Sequence, residues 1–345
     1  MNSLLKLTKG NVLRKSKIAA FDLDHTIIKP RGSRTFPKDK DDWVLIEGIK
    51  ERIKYLQNDF MIVIFTNQGS KNFSRNDFSE KLDNIHIALG VPFQVYCSTG
   101  HDIYRKPCRG MWDLFMEDNF EKDKGNPEYS FFVGDMETDH KFAINANINF
   151  YHIFTFLTNL NFLDPNYLDP NYPTPIHPLA CINKETDKQP YLILPEVLTV
   201  IILIGSPGST KSTFCERHHE YYKIVCQDEL KTKKKVMDTY ERYLKVGDNI
   251  IIDRQNKSIE ERKELIDLAK KYNYITKIVW FDYDKALCEH LCAYREIKTG
   301  KHIPKIVVNS YYKNLEPPSI HEVGEIIKYE FVFRNEDPLI LQYLL

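Results

Sequence analysis

Short apolar runs recur through the first half of the chain: IAAF at 18–21, MIVIF at 61–65, FQVY at 93–96 and FFV at 131–133. Each is bounded by polar or turn residues, and helix-compatible stretches lie between them, as at 47–57 and 74–89. The second half repeats the pattern with TVIILI at 199–204, NIIID at 249–253 and KIVWF at 277–281. Strands alternating with helices predict a parallel sheet covered on both faces, so the expected fold class is α/β, with two doubly wound parallel-sheet domains. Between them the periodicity fades, prolines gather at 165, 170, 173, 175 and 178, and LDPNY at 163–167 recurs at once at 168–172. That stretch reads as an extended, proline-stiffened linker. The expected organisation is a basic tail at 1–16, a first domain at 17–160, a linker at 161–195 and a second domain at 196–345.

Length supports the division, because 345 residues exceed the ~250–300 at which a single core stops growing. An apolar fraction of 42% and a charged fraction of 28% are those of a soluble globular protein, and no apolar run approaches the ~20 residues of a membrane span. The opening MNSLLKLTKGNVLRKSK lacks the apolar core and cleavage site of a secretory signal and reads as a solvated tail. Seven scattered cysteines without a CxxC pair argue against a disulfide framework or zinc site and fit a reducing intracellular compartment. With 48 basic and 48 acidic residues there is no global field, so nucleic-acid contact must come from local patches. KTKKK at 231–235, KYNYITK at 271–277 and KTGKHIPK at 298–305 are candidates, each also readable as solvated surface.

In open α/β sheets the chemistry gathers beyond the carboxyl ends of the strands. The first run ends FDLDHT, with Asp22 and Asp24 two residues apart, able to meet one phosphate and one cation. FTNQ places Thr66 and Asn67 at the same rim, RKP supplies Lys106, and VGDMETD supplies Asp135 and Asp139. His25 is assigned to packing, since alternation points it to the other face. This set resembles the haloacid dehalogenase superfamily of aspartyl-phosphate phosphatases. The resemblance implies Asp22 as nucleophile and Asp24 as general acid and base. Mg²⁺ would be held by Asp22, Asp135 and the backbone carbonyl of Asp24, and the phosphoryl oxygens by Thr66 and Lys106.

After 199–204 comes GSPGSTKST, close to the phosphate loop GxxxxGK[ST], in which N–H groups at a helix start cradle phosphate. Gly205, Gly208, Ser209, Thr210, Lys211, Ser212 and Thr213 are the expected nucleotide-binding residues, with Ser212 on the metal. Thr210 stands where the motif has glycine. If its φ is positive, a β-branched residue there is strained by about 1–3 kcal/mol. If φ is negative, its hydroxyl is placed to donate to phosphate. Asp228 in CQDELK, Asp253 at the end of IIID and Arg295 in YREIKTG complete a phosphoryl-transfer set. A helix-capping role for Asp228 and a solvated one for Arg295 stay open.

FDLDHT, FPKDKDDW, VIFTNQ, LGVPFQV, RKPCRGMWD, FFVGD, GSPGSTKSTF, YREI and SYYKNLEPPS together resemble, in order, the polynucleotide kinase 3′-phosphatase family over nearly the whole chain. That resemblance implies removal of 3′-phosphates and ATP-dependent phosphorylation of 5′-hydroxyls at nucleic-acid ends, DNA favoured over RNA, by a monomer that binds no membrane. It implies Asp228 as general base and Arg295 as a lid arginine. Gln227 and Ala293 stand where the family has arginines, and DRQN at 253–256 stands for its DNTN. No forkhead-associated domain that docks repair scaffolds is expected. An alternative is a 3′-phosphatase whose weakened kinase domain serves to bind nucleic acid.

Overall fold

The computed structural model describes residues 3–35, 37–69, 73–120, 129–158, 193–195, 197–329 and 331. They fall into two compact units. The expected linker, apart from 193–195, lies outside the described residues.

The first unit runs β1 (Leu4–Lys9), β2 (Lys17–Phe21), β3 (Ile28–Lys29), β4 (Val44–Leu45), α1 (Ile49–Leu56), β5 (Phe60–Asn67), α2 (Arg75–Leu89), β6 (Phe93–Ser98), α3 (Gly110–Asn119), β7 (Tyr129–Gly134), α4 (Glu137–Ala146), β8 (Asn149–His152) and α5 (Ile153–Thr158). Its main sheet has the order β1-β6-β5-β2-β7-β8, parallel except for β1. The buried run of β2 divides by alternation. Ala19 and Phe21 join a core with Ile53 of α1 and Leu82 and Ile85 of α2. Ile18 and Ala20 join another with Trp112 and Phe115 of α3 and Phe142 of α4. Both faces are therefore covered, as the continuous apolar runs require.

The expected tail is corrected in its described part. Leu4–Lys9 pairs antiparallel with β6, from Leu4↔Ser98 to Lys9↔Phe93. Leu5 and Leu7 pack on one core while Leu4 enters the other, and the buried Lys9 ammonium donates to the Ser79 carbonyl and to Asp83. Two lysines in six residues concealed a period of two.

The second unit runs β9 (Thr199–Ile204), α6 (Lys211–His218), β10 (Lys223–Cys226), α7 (Gln227–Leu230), α8 (Lys233–Val246), β11 (Ile250–Asp253), α9 (Ile259–Lys271), β12 (Ile275–Trp280), α10 (Lys285–Thr299), α11 (Lys305–Lys313) and β13 (Glu325–Lys328). Its five strands are all parallel in the order β10-β11-β9-β12-β13. In each unit the chain builds outward from one strand on one side and then on the other. The strands where direction reverses are β2 and β9, and the crevice beyond such a strand is where ligands bind in open sheets. No helix among the described residues is long and apolar enough to cross a membrane.

Arg262 on α9 is fully buried. Its Nε and Nη2 donate to Glu322 at 2.7 and 2.9 Å, and its Nη1 donates to the carbonyls of Asn256 and Glu316 at 3.1 and 3.0 Å. This fork ties the segment after β11 to the approach to β13. Removing one partner of a buried ion pair strands the other, at about 3–5 kcal/mol. Arg262→Met should lower the unfolding free energy of this unit by that amount in urea titration, and adding Glu322→Gln should recover part of it. A single-variant loss below about 1 kcal/mol would show that the fork holds nothing.

Candidate active sites

At the end of β2 the Asp22 N–H donates to the Val133 carbonyl at 2.8 Å, fixing the first carboxylate against β7. Lys106 reaches it from the segment between β6 and α3. Its Nζ lies 2.5 Å from Asp22 Oδ1 and 2.6 Å from Asp139 Oδ1, with all three side chains nearly closed to solvent. Asn67, closing β5, holds the lysine backbone from both sides. Its Oδ1 accepts from Lys106 N at 2.9 Å and its Nδ2 donates to Lys106 O at 3.0 Å. Asp139 Oδ2 accepts from the N–H groups of Asp135 and Met136 at 3.1 and 3.0 Å, closing the start of α4. A Cβ on Gly134 would lie 2.4 Å from that of Asp139, so this approach needs glycine.

Asp22 and Asp139 share this one ammonium, and Asp135 lies within its field. Burial pushes the Asp22 carboxyl up to about 8, with Lys106 pulling against it and Asp139 and Asp24 adding to it. Burial and Asp139 raise Asp135 as well. Burial works against the charge on Lys106, yet Asp139 and Asp22 hold its pKa above the usual lysine value. Oxygens of Asp22, Asp135 and Asp139 lie within 4.8 Å of one another. That is a hard-donor set whose excess negative charge suits a divalent cation.

Asp24 is held apart from this group. Its Oδ2 accepts from Gln68 Nε2 at 2.7 Å, while Oδ1 accepts no hydrogen bond and has Lys81 Nζ at 3.5 Å. Gln68 Nε2 also reaches the buried Thr66 Oγ1 at 3.0 Å. Gln68 lies in FTNQ and Asp139 in VGDMETD, segments that the sequence marks without giving either residue a role. Lys81 on α2 has no signal in the linear sequence. His25 departs from its expected packing role because β2 ends at Phe21, so strand alternation no longer governs it. It takes φ 60, its Nε2 meets the Thr35 carbonyl, and its charge is felt at Asp135.

In the second unit the loop 205–210 leaves β9 and enters α6 at the reversal strand. Lys211 Nζ donates to the carbonyls of Gly205 and Ser206 at 2.8 and 2.7 Å and to Ser209 Oγ at 3.2 Å. Burial lowers its pKa, with Asp253 opposing from the end of β11. Gly208 has φ 82, and a Cβ there would sit 2.4 Å from the Cys288 carbonyl. Ser212 and Thr213 are exposed in the first turn of α6, where N–H groups lack helical partners. Thr210 has φ 65 and ψ 13, so the strained alternative holds, and its Oγ1 lies 3.3 Å from the Tyr283 hydroxyl.

Asp228 does not cap α7, whose N-cap is Cys226. Its Oδ2 accepts from Lys301 Nζ at 2.9 Å, and this bond, with Arg295 and Lys231 nearby, holds its carboxyl below the usual range. Asp228 and Arg295 are thus brought into one electrostatic neighbourhood. Lys211 and Asp253 meet at the loop, and the charge of Asp228 also reaches Asp253.

Residues 17–156 match the family model described as polynucleotide kinase 3 phosphatase, and 200–318 match an AAA domain. The chain is 31% identical over 339 residues to the bifunctional polynucleotide phosphatase/kinase of Schizosaccharomyces pombe, covering 93% of this chain and 81% of that one. It is 30% identical over 356 residues to a putative bifunctional polynucleotide phosphatase/kinase of Acanthamoeba polyphaga mimivirus, covering 89% and 82%. Against the polynucleotide 3′-phosphatase ZDP of Arabidopsis thaliana it is 30% identical over 167 residues, 39% of this chain and 23% of that one.

The left-handed Thr210 gives a stability test. Strain of about 1–3 kcal/mol, less the ~0.5–1 kcal/mol of added backbone entropy in glycine, leaves Thr210→Gly about 1 kcal/mol more stable in denaturant unfolding of the second unit. Tyr283→Phe removes only the hydroxyl contact and should cost less than that. A Thr210→Gly protein no more stable than the parent would dispose of the strain.

Proposed function

The chain belongs to the bifunctional polynucleotide phosphatase/kinase family, and from that premise we propose that its first unit removes 3′-phosphates and its second phosphorylates 5′-hydroxyls of polynucleotide ends. The observation that carries the reading is the buried Lys106 ammonium held on Asp22 and Asp139, beside an Asp24 whose Oδ1 is left without a hydrogen bond. A nucleophile and a proton carrier in one crevice, with different partners, are what two-step phosphate-ester hydrolysis requires.

In the first step Asp22 attacks phosphorus and the ester P–O bond breaks as Asp24 protonates the departing 3′-oxygen. Water then attacks the aspartyl phosphate, Asp24 takes its proton, and inorganic phosphate leaves with Asp22 restored. Thr66 and Lys106 bind the phosphoryl oxygens, where charge is concentrated. The grouped oxygens of Asp22, Asp135 and Asp139 fit Mg²⁺, and the backbone carbonyl of Asp24 would be a further ligand. Bound there, the ion would neutralise charge on the carboxylates and on the phosphoryl group.

In the second unit Asp228 takes the proton of the 5′-hydroxyl as its oxygen attacks the γ-phosphorus of ATP and ADP departs. Lys211 and the N–H groups of the loop and first turn of α6 bind the nucleotide phosphates. Ser212 would hold the accompanying Mg²⁺, and Arg295 would offset charge on the transferring group. DNA ends are the favoured substrate. Six cysteines stand free among the described residues, in keeping with a reducing compartment.

Strain at Thr210 favours a second reading, a 3′-phosphatase with a weakened kinase unit. If the whole of about 1–3 kcal/mol fell on ATP binding, affinity would drop about 5- to 150-fold. Transfer of labelled γ-phosphate to a 5′-hydroxyl oligonucleotide would eliminate an inactive kinase.

One oligonucleotide bearing a 3′-phosphate and a 5′-hydroxyl, made as DNA and as RNA, tests both halves together. Asp22→Asn should abolish 3′-phosphate release and leave 5′-transfer within about twofold of the parent, and Lys211→Ala should do the reverse. Either substitution removing both activities, or neither, would break the assignment.

A further inference from the structure

Asp228 meets the ammonium of Lys301 although 73 residues separate them, in a pair with 71% and 48% of the side chains exposed. Exposed pairs usually contribute little, but this one is delivered by a constrained turn. Gly300 ends α10 with φ 69. The Lys301 N–H donates to Thr299 Oγ1 at 3.3 Å, and His302 Nδ1 lies 2.9 Å from Glu296 Oε2. The backbone carrying Lys301 is therefore fixed on both sides.

Charged groups face Asp228 from several elements. Arg295 lies on α10 and Lys231 ends α7, and both act with Lys301 to favour the ionised carboxyl. Asp253 at the end of β11 is the opposing carboxylate, and the Cys226 thiol precedes α7. Gln227 is uncharged and donates its Nε2 to the Lys231 carbonyl at 3.1 Å. Ala293 has no charge to offer. Lys301 is thus the cation in direct contact with this carboxylate.

We propose that Lys301 is a positioning residue for 5′-phosphorylation, orienting the Asp228 carboxylate through Oδ2 so that Oδ1 receives the proton of the attacking hydroxyl. The inference rests on the reading of Asp228 as general base. A carboxylate has about four acceptor sites, so one N–H at Oδ2 leaves room for the hydroxyl. A charge-assisted bond is also about twice as strong as a neutral one. As the nucleic-acid end covers the site and water leaves, the pair strengthens. Lys301 touches neither transferring phosphoryl group nor attacking oxygen in this role, and its effect passes through Asp228.

The test uses the full chain as parent, Lys301→Ala and Lys301→Arg, with ATP and a 5′-hydroxyl DNA oligonucleotide, and with 3′-phosphatase turnover as the check on folding. Lys301→Ala should lower kinase kcat about two- to fivefold and move the acid limb of kcat/KM to higher pH, because Asp228 loses the contact that keeps it ionised. Lys301→Arg should restore both, and phosphatase turnover should not change. An unaltered kcat and acid limb in Lys301→Ala, a rise in kcat, or a loss confined to KM for ATP would each overturn the proposal. A parent protein with phosphatase but no kinase activity would overturn the reading of the second unit itself, and this inference with it.

Discussion

Sharing one buried ammonium between Asp22 and Asp139 is the constraint that organises the first unit. An uncompensated charge at this depth costs several kcal/mol, and pairing repays that only when the geometry is tight. Each member is therefore held by backbone: Asp22 by β7, Lys106 by Asn67 at the end of β5, and Asp139 by the first N–H groups leading into α4. Those anchors come from the carboxyl ends of adjacent parallel strands, so sheet order and site geometry are the same fact. Gly134 follows from it, because a side chain there would displace Asp139. One lysine against three carboxylates also leaves the cluster short of positive charge, which makes it receptive to a cation and to a phosphoryl group brought in with one.

The second unit uses the same topological position with backbone in place of buried ions. The loop after β9 turns twice through left-handed conformations, at Gly208 and Thr210. Glycine meets the first without strain, while threonine meets the second against its own β-branching. The surrounding fold holds Thr210 there: its hydroxyl lies against Tyr283, and the Tyr283 carbonyl accepts from Tyr312 on α11 at 2.7 Å. Strain in the loop is thus supported by α11 and by the segment following β12, well outside the motif.

Much of this was legible in the chain. Seven apolar runs became strands β2, β5, β6, β7, β9, β11 and β12, because strands buried on both faces need continuous apolar sequence and leave a clear trace. Edges leave less. β1 carries two lysines, and β8 and β13 are only four residues each, with two buried positions in β8 and two half-buried ones in β13. The site divides in the same way. Asp22, Thr66, Lys106 and Asp135 stood at or near strand ends where the topology demanded chemistry. Lys81 lies on a helix face and Lys301 just beyond a helix end, where nothing local distinguishes a lysine that meets a site carboxylate from a solvated one. His25 was misread because the rule of alternation was carried past the last residue of its strand.

The two sites differ in what they have ready before a substrate arrives. Asp22, Lys106 and Asp139 are already out of water and oriented, so in the proposed role they would need little reorganisation, the condition under which fixed charges act most strongly on a transition state. Asp228 is mostly exposed, and its contact with Lys301 is screened by solvent. On the proposed role of Asp228, that contact would strengthen as a polynucleotide end covers it and the effective dielectric falls. Discrimination between ends can then differ between the units for a physical reason. A preassembled buried cluster selects what fits it, whereas an exposed carboxylate flanked by lysine and arginine would, in the role proposed for Asp228, take part of its geometry from the strand that binds there.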